Sequence, residues 1–188
     1  DGGNLSDQSR DDLIKLRERV TRMNGLLEGL LQYSRVGRKQ YESQDIDTTV
    51  MARQLADLLH QSDDFAIEVA DEMPRITTQR VPLEQVLRNL IDNAIKHHDR
   101  PDGKVMVSAT DGDELVTFSV TDDGPGISDE YHERVFRIFE TIKTRDEVEG
   151  SGMGLALVQK IVDLHGGSIS LESEVGKGTT FTFTWPKC

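Results

Sequence analysis

The chain has 188 residues, 36% of them hydrophobic, 30% charged and 5% aromatic, with a formal net charge of -12. That length suits one domain plus an extension, and the hydrophobic share can fill a core. The acidic balance excludes a nucleic-acid-binding protein, which needs clustered Lys and Arg, and leaves an anionic ligand to local devices such as backbone amides, a helix N-terminus or a metal ion.

The chain begins at Asp1 without Met, which suggests a piece of a longer protein. Residues 1–8 are small and polar and read as a disordered N-terminus. A long helix follows over residues 9–37, within an N-terminal unit of residues 9–40. Leu13, Leu16, Val20, Met23, Leu27, Leu30 and Ser34 alternate by three and four, an a/d heptad. So narrow a seam suits a bundle or coiled coil better than the surface of a globular domain, although a surface helix stays open. Residues 37–46 form a polar connector, and the main domain covers residues 45–188. Asp47 or Thr48 can cap a second helix to about His60. Phe65 to Val69 and Arg75 to Thr78 read as short strands. A periodic helix runs from Pro82 to about His98, and residues 99–103 (DRPDG) read as a turn.

Clean alternation marks the next strands: Val105 with Val107, then Val116, Phe118 and Val120, and later Ile169 with Leu171, and Phe181, Phe183 and Trp185. A helix from Gly154 to His165, closed by Gly166-Gly167, lies between the early and late strands. The fold class is α+β: a two-layer sandwich with an antiparallel or mixed sheet and helices on one face. No run is apolar enough to span a bilayer, and no signal peptide is visible. The one cysteine, Cys188, allows no internal disulfide and fits a reducing, cytoplasmic compartment.

Three segments carry chemistry. On the helix near residue 90, one broad face is apolar, and the opposite stripe holds Gln85, Asn89, Asp92, Asn93 and Lys96. Asparagine is a poor helix former, so two of them at i and i+4 break a local rule, as functional positions tend to. Asn offers oxygen to a hard cation and an amide to a phosphate, and Lys96 adds a compact positive charge. A plain solvated stripe remains the competing reading. Asp122-Asp123-Gly124-Pro125-Gly126-Ile127 leaves a strand; its glycines permit close backbone approach, and its carboxylate can accept from an exocyclic amine such as that of adenine. Gly150-Ser151-Gly152-Met153-Gly154-Leu155 opens a helix whose first amides form a phosphate seat. Between the last two lies a polar stretch, residues 141–149, that reads as a lid, with Lys143 and Arg145 placed to reach phosphates. Phe136 and Phe139 either anchor that lid or belong to the core. Residues 176–181 (GKGTTF) read as a hairpin turn, with a nucleotide contact through Thr180 as an addition.

Taken together, these motifs resemble the catalytic ATP-binding domain of sensor histidine kinases, in the superfamily shared with gyrase B, the heat-shock ninety chaperone and MutL. Asn89-Leu90-Ile91-Asp92-Asn93-Ala94 looks like the N box and DDGPGI the G1 box. Val135 to Phe139 looks like the F box, GSGMGL the G2 box and GKGTTF the G3 segment. The resemblance covers residues 45–186 and implies a Bergerat-type sandwich that binds ATP with Mg2+. It implies that Asn93 coordinates the metal, that Asn89 and Lys96 act on metal and phosphates as the catalytic pair, that Asp122 reads the adenine amine, and that Gly124, Gly126 and Ile127 also bind the nucleotide. Gly150, Ser151, Gly152, Met153, Gly154 and Leu155 would hold phosphates under the lid. His97 stands where Tyr is common and would contact phosphate or ribose. In hydrolytic relatives a Glu stands in the place of Asn89; Asn cannot serve as a general base, so slow hydrolysis is expected.

The long first helix, ending Leu30-Leu31-Gln32-Tyr33-Ser34-Arg35, resembles the second helix of the dimerisation hairpin of these kinases. No histidine precedes the catalytic domain in a phosphoacceptor context, so the chain is expected to bind ATP and not to autophosphorylate. The implied partners are ATP, a response regulator, a second copy through the long helix and an upstream sensor domain. The other readings are an anti-sigma-type serine kinase and an ATP-regulated interaction module.

Overall fold

The computed structural model describes residues 7–60, 64–140 and 152–187. Helix α1 (Asp7–Arg35) already includes Asp7 and Gln8, which the sequence assigned to the disordered tail. Its heptad seam faces away from the rest of the chain: Leu13, Leu16, Val20, Met23, Leu27 and Leu30 are 45–61% exposed. Within this chain the seam is therefore uncovered. Among the described residues, Tyr33 in its last turn and Val36 just past its end pack against the core.

Strand β1 (Ser43–Asp47) occupies part of the expected connector. It pairs antiparallel with β3 (Arg75–Gln79), and Ile46 opposite Ile76 is the buried pair. One apolar residue in a polar run is too weak a sequence signal for a strand; the partner supplies the rest. Helix α2 (Thr48–Leu59) is capped by Asp47, whose carboxylate accepts from the Val50 amide at 3.0 Å.

Helix α3 (Arg80–His97) starts two residues before Pro82, which a first helical turn tolerates because its amides lack partners anyway. Its apolar stripe is the centre of the core: Leu83, Val86, Leu87, Leu90 and Ile91 are fully buried. Helix α4 (Gly154–Leu164) packs beside it. Past its end, Gly166 takes φ +80°, with Gly167 N donating to Val162 O at 3.0 Å and Gly166 N to Asp163 O at 3.1 Å. This is a Schellman closure that satisfies the last carbonyls.

Below the helices lies a five-stranded sheet of β2 (Ala66–Val69), β4 (Lys104–Asp111), β5 (Leu115–Asp122), β6 (Ile169–Glu174) and β7 (Gly178–Pro186). The order is β2-β4-β5-β7-β6; β2 runs parallel to β4, and the other pairs are antiparallel. Val105, Val107, Val116, Phe118, Val120, Phe181, Phe183 and Trp185 all face the helices and are at most 2% exposed. Phe118 stacks on its cross-strand partner Phe183 with centroids 5.0 Å apart. Alternation places Thr117, Ser119, Thr121, Thr180, Thr182 and Thr184 on the opposite, uncovered face. The sandwich is thus α+β with a mixed sheet and helices on one face, preceded by a long helix.

Candidate functional site

The polar stripe of α3 runs along its contact with α4. Asn89 is half-buried, and its Nδ2 donates to Gln85 O at 2.7 Å. Its Oδ1 lies 3.4 Å from where a Cβ on Gly154 would sit. Asn89 therefore stands at the first residue of α4, beside amides that no side chain caps. Asn93, one turn on, is also half-buried. Lys96 Nζ pairs with Asp92 Oδ2 at 2.7 Å on the outer edge of the stripe. His97 is half-buried at the last position of α3.

Asp122 ends β5 on the helix-covered face, in register with Thr179 of β7. Its Oδ1 accepts from the Gly124 amide at 2.9 Å. Burial pushes its carboxyl above the ordinary aspartate value, against the pull of the Gly124 amide, His98 and the Thr179 amide. Gly126 has φ +70°, and a Cβ there would fall 2.1 Å from Glu174 O, so only glycine fits. The loop is fastened to the β6–β7 turn by Gly176 N donating to Pro125 O at 2.8 Å and Ile127 N donating to Ser173 Oγ at 2.8 Å.

Gly152 has φ +63° and lies against the end of the Phe136–Phe139 stretch; Phe139 N donates to Gly152 O at 3.1 Å. Met153 is buried, and Leu155 is half-buried. Phe136 is partly buried against the core, with its ring edge-on to Phe181 at 6.2 Å, whereas Phe139 is 45% exposed at φ +67°. The two Phe residues thus divide between the core and loop readings. Lys143, Arg145, Gly150 and Ser151 lie outside the described residues.

Thr180 departs from expectation. Its hydroxyl is 3.0 Å from that of Thr121 on the uncovered face of the sheet, turned away from Asn89 and Asp122. The residue beside Asp122 is Thr179, 5% exposed, whose hydroxyl lies 3.0 Å from Ser173 Oγ. Period-two alternation from Phe181 gives this placement. A second group lies outside the motifs read from the sequence: His98, Arg100 and Asp123, joined behind the Asp122–Ile127 loop. The available signals were the second His after the helix stripe and the second Asp of the DDG run.

Asn89 thus lies at the α4 N-terminus, Asn93 a turn further along α3, and Asp122 at the end of β5 on the sheet face that the helices cover. A neutral oxygen such as that of Asn93 suits a magnesium ion that keeps waters and phosphate oxygens as its other ligands. Among the described residues, no three His, Cys, Asp or Glu gather as a metal cage, so any divalent ion in this region would rely on such sparse ligation.

Residues 78–188 match the model of the histidine kinase-, DNA gyrase B-, and HSP90-like ATPase family, and the chain belongs to that family. Its fold and motifs are those of a histidine kinase catalytic domain, an ATP-binding module. The methanogenesis regulatory histidine kinase FilI of Methanothrix harundinacea is 35% identical over 186 residues, covering 96% of this chain and 20% of that protein. Full-length ShkA in complex with AMPPNP aligns with a TM-score of 0.75 at 28% identity, over 99% of this chain and 40% of that one. Histidine kinase ThkA in complex with response regulator protein TrrA aligns at 0.73 with 26% identity, over 99% and 53%. The chain spans a fifth to about half of the length of these proteins.

Proposed function

We propose that this chain is the ATP-binding catalytic part of a sensor histidine kinase in two-component signalling. It passes the γ-phosphoryl group of ATP to a histidine on a dimerisation helix. The γ-phosphorus leaves the bridging oxygen of ADP as it bonds to the unprotonated imidazole nitrogen, and the proton on the other ring nitrogen is then given up to solvent.

The observation that carries this reading is the placement of Asn89 against Gly154. A neutral amide stands beside the uncapped α4 amides, in the place where hydrolytic relatives carry a Glu. Asn has no useful basicity, so hydrolysis stays slow and the phosphoryl group is kept for a protein nucleophile. Each amide–phosphate bond is worth roughly 1.5–3 kcal/mol, so three or four suffice for micromolar affinity of about 8 kcal/mol before ordering costs. Asn93 would hold Mg2+, which neutralises phosphate charge when bound. Lys96 releases Asp92 to meet phosphate, Asp122 receives the adenine amine, and His97 contacts ribose or phosphate. Lys143 and Arg145 close over the triphosphate.

The seam of α1 supports pairing with a second copy in a helical bundle. The likeness to ThkA bound to TrrA supports a response regulator as the next acceptor. An upstream sensor domain and a cytoplasmic setting complete the reading. FilI, a histidine kinase, aligns across nearly the whole chain, which disfavours a serine-directed kinase or a pure interaction module. Alone, this chain does not autophosphorylate. Its histidines are His60, His97, His98, His132 and His165, and none lies on α1.

The test is calorimetric titration of ATP with and without Mg2+ on this chain and on Asn93→Ala, followed by transfer to a supplied His-bearing helix. Magnesium-dependent binding lost in the variant, with phosphate appearing on the supplied histidine, is the expected result. Absence of binding to the unmodified chain would sink the reading.

A further inference from the structure

The loop that carries Asp122 is held from behind by a buried imidazole. The His98 side chain is 1% exposed. It lies edge-on to Phe65, with centroids 5.2 Å apart, and between two glycines. A Cβ on Gly103 would fall 2.3 Å from its ring, and one on Gly124 would fall 3.2 Å from Cδ2. The pocket is therefore cut to the ring on both sides.

Both ring nitrogens are engaged. Nε2 lies 2.9 Å from Asp123 Oδ1, and since a carboxylate only accepts, Nε2 carries the proton and donates. Nδ1 lies 3.1 Å from the Arg100 amide and 3.0 Å from the Arg100 carbonyl oxygen, so it accepts from the first in a neutral ring and donates to the second in an imidazolium. Asp123 in turn accepts from the Lys104 amide at 2.7 Å and from Arg100 Nη2 at 2.6 Å. Arg100 Nη2 also reaches the Asp123 carbonyl at 2.9 Å, and Asp123 N donates to Lys104 O at 3.2 Å. Every polar atom of Asp123 is thus held, although the residue is exposed and its carboxylate does not point at the nucleotide region. Its immediate neighbour is Asp122.

We propose that His98 is a positioning residue for base recognition: through Asp123 it fixes the backbone that carries Asp122, and so sets the preference for a purine nucleotide bearing an amine. This rests on the reading of Asp122 as the acceptor of that amine. A carboxylate placed within about 0.5 Å rewards a donor, and one that wanders by an ångström does not. The imidazole, whose burial without partners would be costly, keeps one nitrogen in the turn after α3 and joins the α3 end to the loop through the other.

The test compares dissociation constants for Mg-ATP and for the Mg complex of purine riboside triphosphate, which lacks the amine, on the full chain. The unmodified chain should prefer ATP by roughly tenfold or more, the worth of one charge-assisted bond. His98→Ala should bring the ratio toward one while leaving the affinity for the amine-free nucleotide within about twofold, because the phosphate seat is untouched. His98→Gln, which keeps a donor near Nε2, should restore part of the preference. Asp123→Asn, which keeps the shape and removes the charge, should act like His98→Ala and serves where that variant fails to fold. Equal weakening toward both nucleotides, or an unchanged ratio in both His98→Ala and Asp123→Asn, overturns the proposal. Asp122→Asn separates the two layers. A preference that survives it overturns the reading of Asp122, whereas a preference lost there and kept in the His98 and Asp123 variants overturns the role of His98 alone.

Discussion

Lys160 Nζ lies 2.9 Å from the Tyr33 carbonyl oxygen and 4.0 Å from the centre of the Tyr33 ring. One ammonium group on α4 thus grips the end of α1 by a hydrogen bond and a cation–π contact. Together with Leu164, which lies against Gly37, it forms much of the tie between the long helix and the ATP-binding sandwich. Lys160→Met keeps the stem and removes the charge. A cation–π contact of this kind is worth about 0.5–1 kcal/mol, so the sandwich should keep its melting temperature within a few degrees. Amide exchange in the last turn of α1 should rise several-fold, and ATP affinity should hold. Unchanged exchange would show that the grip is ornamental.

Gly126 and Gly176 both have positive φ, but they differ in surroundings. A Cβ at Gly126 would collide with Glu174 O, whereas one at Gly176 meets nothing within 4 Å. Gly176→Ala should therefore cost only the left-handed strain of about 1–2 kcal/mol. Gly126→Ala should cost clearly more and should also weaken ATP binding, because the adenine loop must shift. Thermal unfolding of the two variants reads the difference at about 2–4 °C per kcal/mol for a chain of this size.

Asp122 should make stability fall as pH rises. Burial raises its folded value above the unfolded one, so between the two the folded chain holds more protons than the unfolded chain. The destabilisation grows through that window and is complete above it. Asp122→Asn should melt higher than the unmodified chain at pH 7, with the gap closing on acidification. ATP affinity should fall on acidification only in the unmodified chain, since the neutral carboxyl is a poorer acceptor. A melting difference independent of pH would refute this.

Asp123 behaves in the opposite sense. Burial raises its carboxyl, but the Lys104 amide, His98 and Arg100 outweigh that and hold it below the ordinary value. Its contribution to stability is present above the unfolded value and is lost as pH falls through the folded one. Asp123→Asn should flatten the acid limb of the stability curve, by a modest amount because the carboxylate is half exposed.

Leu27 and Leu30 stand on the open seam of α1. Replacing both by Glu should leave the melting of the sandwich unchanged within about 1 kcal/mol, since neither packs on it. Sedimentation should show loss of whatever self-association the unmodified chain has. A lowered melting temperature would mean that the seam serves the domain after all.

Much of this molecule is legible in its sequence where one face of an element is buried and the other wet. The stripe from Leu83 to Ala94 and the alternation from Phe181 to Trp185 locate α3 and β7 because burial imposes the period. Strand β1 lacks that signal, as its place is set by pairing with β3. Thr180 and Thr179 are adjacent in the chain but lie on opposite faces of the sheet. The reading of the 176–181 hairpin took the first as a nucleotide contact, whereas strand parity sets the second beside Asp122. His98 was hidden for another reason: its partners Arg100 and Asp123 sit 2 and 25 residues away, and only the folded turn brings them to one ring.

The hydrogen bond from Phe139 to Gly152 has a consequence for how such a protein can change over generations. It joins the residues that flank the interval 141–151, so a change of length in that interval starts and ends at a contact already formed. For a flexible insert, doubling its length costs only about 0.6 kcal/mol of closure entropy. New residues can thus be tried in that interval, in composition and in number, while α3, α4 and the sheet keep their registers.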